Sequence, residues 1–406
     1  DIEAQVIKVG TYKSAVEPYI LDKMSKPNRE QITSFLGSLY THFLSNIAIS
    51  RKIPVDSLSA IANTAAVQTA TDAVKFRLVD GVKYKDEVLT ELKSLCGIAQ
   101  KKELRSVSIS DYTPQSKELS KASADRIAVV YAVGEIVSGE GDDETMGSEN
   151  ISRAIRTARL DDKVKALVLR INSPGGSSLA SDVIWREVEL TKKVKPVIVS
   201  MGDVAASGGY YIACAADSIF AQPNTITGSI GVFAIIPNMK KFFNNKLGIT
   251  FDEVKTSKFS EISITRPLSD DERLLLQAEV NNIYKTFTQK VANGRHKTPE
   301  FIDNIGQGRV WTGAEAIKIG LVDRLGNIND AVKSAAKKAG LKEYKLVDYP
   351  DQKDPLKELF DDSADKVRTY FTKQELGENY NYYQKMQSVL KTTGIQSRMP
   401  YEVVIK

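Results

Sequence analysis

Between residues 127 and 222, short apolar runs alternate with stretches of helical periodicity. Ile127-Ala-Val-Val-Tyr-Ala-Val133 is continuous, apolar and rich in β-branched residues, which predicts a buried strand. Ile151, Ile155 and Ala158 recur on one face of a helix. Val164 to Ile171 predicts a second strand, and Asn172-Ser-Pro-Gly-Gly176 a turn. Ser177 and Ser178 are N-cap candidates for a helix that reaches Lys193. Pro196 to Ser200 predicts the next strand and Gly202 to Ala206 a loop. A helix is predicted from Ser207 to Ala216, then a strand from Ser218 to Gln222 closed by Pro223. This alternation predicts an α/β domain with a substantially parallel sheet. Sites in such sheets form where strand ends meet loops and helix N-termini. The glycine-rich segments after Ile171 and after Met201 both fall there.

The chain also repeats itself at long range. Gly10-Thr-Tyr-Lys13 resembles Lys255-Thr-Ser-Lys258, 245 residues later. Met24-Ser-Lys-Pro-Asn-Arg29 resembles Leu268-Ser-Asp-Asp-Glu-Arg273 at an offset of 244, and Ala73 to Asp80 resembles Ala316 to Asp323 at 243. A period this long indicates a duplicated domain, not a solenoid. Residues 1–103 are expected to be the C-terminal part of the first copy, and 104–124 a polar linker. Residues 125–345 are expected to be a complete second copy, and 346–406 a helical tail. The part of the first copy that matches the Ser207 region would lie before residue 1. The chain begins with Asp1 and shows no signal-peptide pattern, so the first copy is expected to be truncated at its N-terminus.

A length of 406 residues suits two to three domains of ~150 residues. The net charge of +5 is spread along the chain without a dense basic block, which argues against nucleic acid as the main partner. No run of 18 apolar residues occurs, so no membrane span is predicted. Cys96 and Cys214 lie in different segments without metal-ligand spacing, and Cys214 reads as a packing residue of a buried helix. Tyr210 and Val232-Phe233 read as core before they read as pocket.

Acyl transfer needs a nucleophile, a base and oxyanion donors. Ser207, at the mouth of its predicted helix in Ala205-Ala-Ser-Gly-Gly-Tyr210, is the candidate nucleophile. N–H groups at a helix N-terminus suit an oxyanion, and Gly175 and Gly176 offer a second set of backbone donors. Taken alone, such serines also read as caps of tight turns. No nucleotide-binding glycine pattern occurs at these strand ends. The chain has two histidines. His42 lies in a helical stretch whose repeat partner is Thr286, and His296 in a polar loop, so both read as structural and a Ser-His-Asp triad has weak support. A buried lysine is the alternative base. The repeat equates two, Lys13 and Lys258, and the residues alone leave both open.

Asn172-Ser-Pro-Gly-Gly176, Ala205-Ala-Ser-Gly-Gly-Tyr210, Thr227-Gly-Ser-Ile-Gly-Val232 and Gly10-Thr-Tyr-Lys-Ser-Ala-Val-Glu-Pro18 together resemble the bacterial signal peptide peptidase A (protease IV) family, up to about residue 345. The resemblance implies α/β architecture with duplicated Clp protease/crotonase-like domains. It implies a Ser/Lys dyad, with Ser207 as nucleophile and Lys13 as general base, and an oxyanion hole from Gly208 with Gly175 or Gly176. Shorter relatives carry their lysine at the position of Lys258, which keeps that residue as the alternative. The implied substrates are apolar peptides, the remnants of cleaved signal peptides. A homo-oligomer is implied, a tetramer in the family, located at the bacterial inner membrane with the catalytic part facing the periplasm. The implied membrane anchor belongs to the full-length protein and not to this chain. No metal or cofactor is implied. The rival readings are a crotonase-like acyl-CoA enzyme, which would need no serine, and an inactive scaffold if truncation leaves Lys13 unheld.

Overall fold

The computed structural model describes residues 1–108, 112, 124–142, 145–350 and 396–398. The chain divides into two compact units. One is built from residues 1–36 and the described residues from 124 onward, the other from residues 37–108 and 112.

In chain order the first copy supplies strand β1 (Glu3–Val9) and helices α1 (Lys26–Arg51), α2 (Val55–Asn63), α3 (Ala70–Lys75) and α4 (Lys85–Leu95). Strands β2 (Arg126–Val133), β3 (Glu135–Val137) and β4 (Thr145–Gly147) lead to α5 (Ser148–Leu160). Then come β5 (Val164–Ser173), β6 (Gly175–Ser177), α6 (Ser178–Lys192), β7 (Val197–Ala206) and α7 (Gly208–Ala213). Next are β8 (Ser218–Ala221), β9 (Ile226–Gly228), β10 (Val232–Asn238) and α8 (Lys240–Phe242). The series continues through α9 (Asp270–Arg295), α10 (Pro299–Ile305), β11 (Val310–Thr312), α11 (Gly313–Ala316), β12 (Arg324–Leu325) and α12 (Ile328–Lys338). It ends with β13 (Lys345–Tyr349) and β14 (Gln396–Arg398).

The larger sheet runs β11-β9-β7-β5-β2-β13, with β8 on β7 and β12 on β8. Its β13-β2-β5-β7 core is parallel. Parallel strands are covered on both faces, which explains why β2 and β5 read as unbroken apolar runs. Alternate residues serve two cores. Leu167, Leu169 and Ile171 point into the main cluster, with Ile151 and Ile155 of α5 and Ile184 of α6. Ala166 and Val168 point the other way, against Ala331, Val332 and Ala335 of α12. The second sheet runs β1-β10-β14-β6-β3-β4. In the other unit, Leu44, Ile53 and Leu58 form a small core, and Arg51 ion-pairs with the exposed Asp80 at 3.1 Å.

The repeat is visible in the elements. α1 and α9 are both 26 residues long and start 244 positions apart, at residues 26 and 270. α4 and α12 are both 11 residues long, starting at 85 and 328. α3 and α11 each begin with a threonine capping box, at Thr69 and Thr312. Left-handed residues also recur in register: Lys52 with His296, Ala65 with Gly308, Arg77 with Gly320 and Gly97 with Gly340.

Three local expectations are corrected. The predicted turn at 172–176 is extended: β5 runs to Ser173, and Gly175–Ser177 form β6. The predicted loop at 202–206 is the end of β7, held by pairing of Val204–Ala206 with β9. Glycine and alanine density concealed both strands, because these segments gain order from partners distant in sequence. Of the tail expected to be helical, the described residues 346–349 and 396–398 lie in strands. β13 completes the parallel sheet beside β2, and β14 enters the second sheet; residues 351–395 and 399–406 lie outside the described residues. Residues 104–108, 112 and 124 of the expected linker carry no helix or strand, and the rest of it lies outside the described residues.

Leu169 is fully buried at the centre of the sheet, whereas Leu179 is 69% exposed. Leu169→Ala is expected to destabilise the fold by about 2–5 kcal/mol, and Leu179→Ala by less than about 0.5 kcal/mol. Denaturant unfolding measures both, and equal losses would contradict this placement of the core.

Candidate active site

Ser207 is the single residue between β7 and α7 and has to turn the chain from strand to helix. It does so at φ 55° and ψ −116°, a conformation that costs an L-residue about 1–3 kcal/mol. Neighbouring bonds fix it there. Its N–H donates to Gly228 O at 2.8 Å, and its carbonyl accepts the Tyr211 N–H at 2.8 Å. The side chain is fully buried.

Lys13 reaches this point from the first copy. β1 pairs antiparallel with β10 over seven residues, from Glu3↔Asn238 to Val9↔Val232. The chain leaves β1 beside Val232 and turns inward at Gly10–Lys13. Lys13 Nζ lies 2.9 Å from Ser207 Oγ, 3.1 Å from Ser229 Oγ and 3.4 Å from the Ser229 carbonyl. The Phe233 ring centroid is 5.8 Å away. Among the described residues no carboxylate forms an ion pair with Lys13. Complete burial without a counter-charge pushes its pKa well below the ordinary lysine value.

The lysine loop is held from both copies. Tyr12 N–H donates to Gln307 O at 2.8 Å, and Gln31 Nε2 donates to Tyr12 O at 2.9 Å. The expectation of an unheld Lys13 therefore does not describe this structure.

The other candidates fall elsewhere. Lys258 is 64% exposed, with its ammonium on Asp271 and against the Phe259 ring, so of the two lysines only Lys13 is brought to Ser207. Its segment pairs with no strand among the described residues, whereas β1 has β10 to deliver Lys13. His42 is half-buried and shares a hydrogen bond with Asn46, four residues on in α1. His296 is the exposed, left-handed C-cap of α9. Cys214 is fully buried, with its Sγ on Tyr211 O, and burial raises the thiol to about 12. Tyr210 and Val232 are fully buried, and Tyr210 donates its hydroxyl to Leu321 O at 2.8 Å.

Gly208 opens α7, so its N–H has no acceptor within the helix. Gly175 N–H donates to Ser173 Oγ at 3.2 Å. Gly176 pairs with Ile136 of β3 on one side and Ser397 of β14 on the other. The two glycine segments meet: Ser173 pairs with Ala205, and Asn172 Oδ1 accepts the Val204 N–H at 3.1 Å.

Two features were not legible beforehand. Ser229 shares the Lys13 ammonium with Ser207, from a left-handed position whose N–H donates to Arg309 O at 2.7 Å. Its signal was a serine between glycines in Thr227-Gly-Ser-Ile-Gly231. The second feature is a strand position between β6 and β10, filled by β14: Gln396–Arg398 pair antiparallel with Gly175–Ser177, and Gln396 also pairs with Phe233.

The model of peptidase family S49 matches residues 1–99 and 189–342, and that of Clp protease matches residues 119–227. Protease 4 of Salmonella typhi is 39% identical over 380 residues, covering 90% of this chain and 60% of that protein. Protease 4 of Haemophilus influenzae is 36% identical over 344 residues, covering 82% and 56%. Serine protease SPPA, chloroplastic, of Arabidopsis thaliana is 34% identical over 348 residues, covering 84% and 51%. The chain thus spans between 51% and 60% of the length of these relatives.

The backbone at Ser207 gives a direct check on its strain. Ser207→Gly is expected to be more stable than Ser207→Ala by about 1 kcal/mol, because glycine takes this conformation without steric penalty. Thermal unfolding of the two variants measures the difference, and an alanine variant of equal or greater stability would remove the strain from the account.

Proposed function

The chain belongs to peptidase family S49, a family of serine peptidases, and we propose that it hydrolyses peptide bonds with Ser207 as nucleophile and Lys13 as general base. The observation that carries this reading is the 2.9 Å contact between Lys13 Nζ and Ser207 Oγ in a fully buried site, with no carboxylate paired to Lys13 among the described residues. A lysine depressed by burial is neutral at a pH where a solvated one is charged, and its lone pair then takes the hydroxyl proton.

In the first step Ser207 Oγ passes its proton to Lys13 Nζ and bonds to the scissile carbonyl carbon. The carbonyl π electrons move onto oxygen, which faces the Gly208 N–H, with Gly176 as the donor from the neighbouring strand. Collapse of this intermediate expels the amine, which takes the proton from Lys13. That leaves an acyl-Ser207 ester and a neutral lysine. Water then gives a proton to Lys13, attacks the ester and releases the acid, and the proton returns to Ser207 Oγ. Ser229 Oγ, at 3.1 Å, keeps Nζ aimed while its proton comes and goes.

The substrate we propose is an extended peptide added as a strand between β6 and β10, the position β14 takes here. Its class is the apolar remnants of signal peptides, and the setting the inner membrane, with the catalytic part facing the periplasm, as a homo-oligomer. These rest on the family resemblance. No helix among the described residues is long and apolar enough to cross a membrane. An acyl-CoA enzyme on the same fold would have no use for a serine in contact with a buried lysine.

Ser207→Ala is expected to lower kcat/KM on peptide esters by at least about 10⁴-fold and to abolish labelling by a serine-directed phosphonate. Lys13→Ala should cost about 10²–10⁴-fold, and Lys258→Ala nothing. Full activity in Lys13→Ala would overturn the base assignment. The base works when neutral, so kcat/KM should rise as pH passes the Lys13 pKa. Burial places that rise below the ordinary lysine range.

The same shift has a stability consequence. The folded pKa of Lys13 lies below its unfolded value, so between the two the unfolded state binds the extra proton and stability increases with pH. Lys13→Met should remove that slope and raise Tm at neutral pH while abolishing activity. A lower Tm with an unchanged slope would contradict the burial of a neutral lysine.

A further inference from the structure

We propose that Gly10 and Gly308 form a glycine clasp that positions Lys13, and that this clasp decides which of the two repeats carries a working lysine. The proposal rests on the reading of Lys13 as the base.

The clasp is a close approach of two backbones. Gly10 has φ +107°, and a Cβ there would meet Gln307 C and O at 2.6 Å. Gly308 has φ +77°, and a Cβ there would meet Lys13 N at 2.6 Å and Lys13 Cα and Cβ at 2.7 Å. Real Cβ atoms do not come so near backbone, so either side chain would push the lysine loop outward. The loop opposite is itself anchored. Gly308 N–H donates to Ile230 O at 2.7 Å, and Gln307 N–H donates to Tyr284 Oη at 3.1 Å. Tyr284 in turn donates to Asp303 at 2.6 Å. Fully buried Gln31 ties the two sides together, donating to Tyr12 O at 2.9 Å and accepting the Val310 N–H at 3.2 Å. An outward shift of this loop lengthens the 2.9 Å contact at Ser207 and opens the dry space around Nζ together.

The duplicated sequence supplies the comparison. Aligned on the two lysines, Gly10 corresponds to Lys255. Aligned on the capping threonines Thr69 and Thr312, Gly308 corresponds to Ala65, four residues before its cap in both copies and left-handed in both. The backbone of the clasp is therefore retained at Ala65, but its Cβ stands where Gly308 leaves room. Both glycines are lost together from the other lysine-and-clasp pair. Lys258 therefore has neither glycine of the clasp at its equivalent positions.

The test compares Gly308→Ala, which installs the residue of the first copy, with Ala65→Gly as control, in the full chain acting on a peptide ester. Gly308→Ala is expected to lower kcat about 10- to 100-fold, with KM changed less than about twofold. The acidic limb of its kcat/KM profile should move up by about one pH unit, because water reaches the ammonium, so that activity recovers in alkali. Ala65→Gly should leave rate and profile unchanged. If Gly308→Ala does not fold, judged by Tm, Gln31→Met decides, and the same upward displacement of the limb is expected. A fully active Lys13→Ala would remove the base reading itself. An inactive Lys13→Ala beside a Gly308→Ala (or, failing that, Gln31→Met) with wild-type kcat and limb would remove the clasp alone.

Discussion

A fully buried lysine that pairs with no carboxylate among the described residues is the constraint on which the proposed mechanism turns. Any paired acid would keep the ammonium charged and useless as a base, and any water path would do the same. The surroundings of Lys13 are correspondingly neutral. Two serine hydroxyls, one carbonyl and the Phe233 ring lie near Nζ. A lysine tail has four rotatable carbons and would rather reach solvent. The seven-residue pairing of β1 with β10 prevents that by fixing the backbone before the turn at Gly10.

On the proposed mechanism, duplication divides the chemistry between copies. The second copy has the strand-to-helix turn that presents Ser207, and the first has the strand that carries the lysine inward. This is why residues 1–36 fold with the later part of the chain although the repeat assigns them to the first copy. Matching helices, caps and left-handed residues show how closely the two copies keep one backbone. Within that common backbone, a few side chains decide what each copy can do. Lys13 and Lys258 sit at equivalent positions, yet one is buried against Ser207 and the other is exposed on Asp271.

Much of this was legible in the chain. The strand runs at 127–133 and 164–171, the Ser177 cap and the strand-to-helix turn at Ser207 follow from periodicity and capping chemistry. They are local signals, and the structure keeps them. Gly175–Ser177 and Gly202–Ala206 were misread for the opposite reason, because their extended form depends on β14, β3 and β9. Ser229 was hidden in the same way. Nothing local marks it as a lysine ligand until β1 delivers Lys13 to its side. The choice between Lys13 and Lys258 could not be made from spacing, since the repeat makes their spacing equal. It depends on which strand finds a partner.

The site works against the stability of the fold in two places. Ser207 occupies a backbone conformation that costs about 1–3 kcal/mol, and Lys13 gives up its hydration without gaining a counter-charge. Together these are a substantial fraction of the about 5–15 kcal/mol that holds a typical domain. They persist because each is bound to elements that cannot relax alone. Ser207 is pinned by Gly228 on one side and by the first turn of α7 on the other, and β7 behind it is buried in the parallel sheet. Lys13 is pinned by β1 and by the Gln307 carbonyl. Relief of either strain would require breaking sheet pairing whose loss exceeds the gain. The glycine-rich segments at the ends of β5 and β7 follow from the same need. They let rigid strands come close enough to share one small, dry volume, in which Ser207, Ser229 and Lys13 meet.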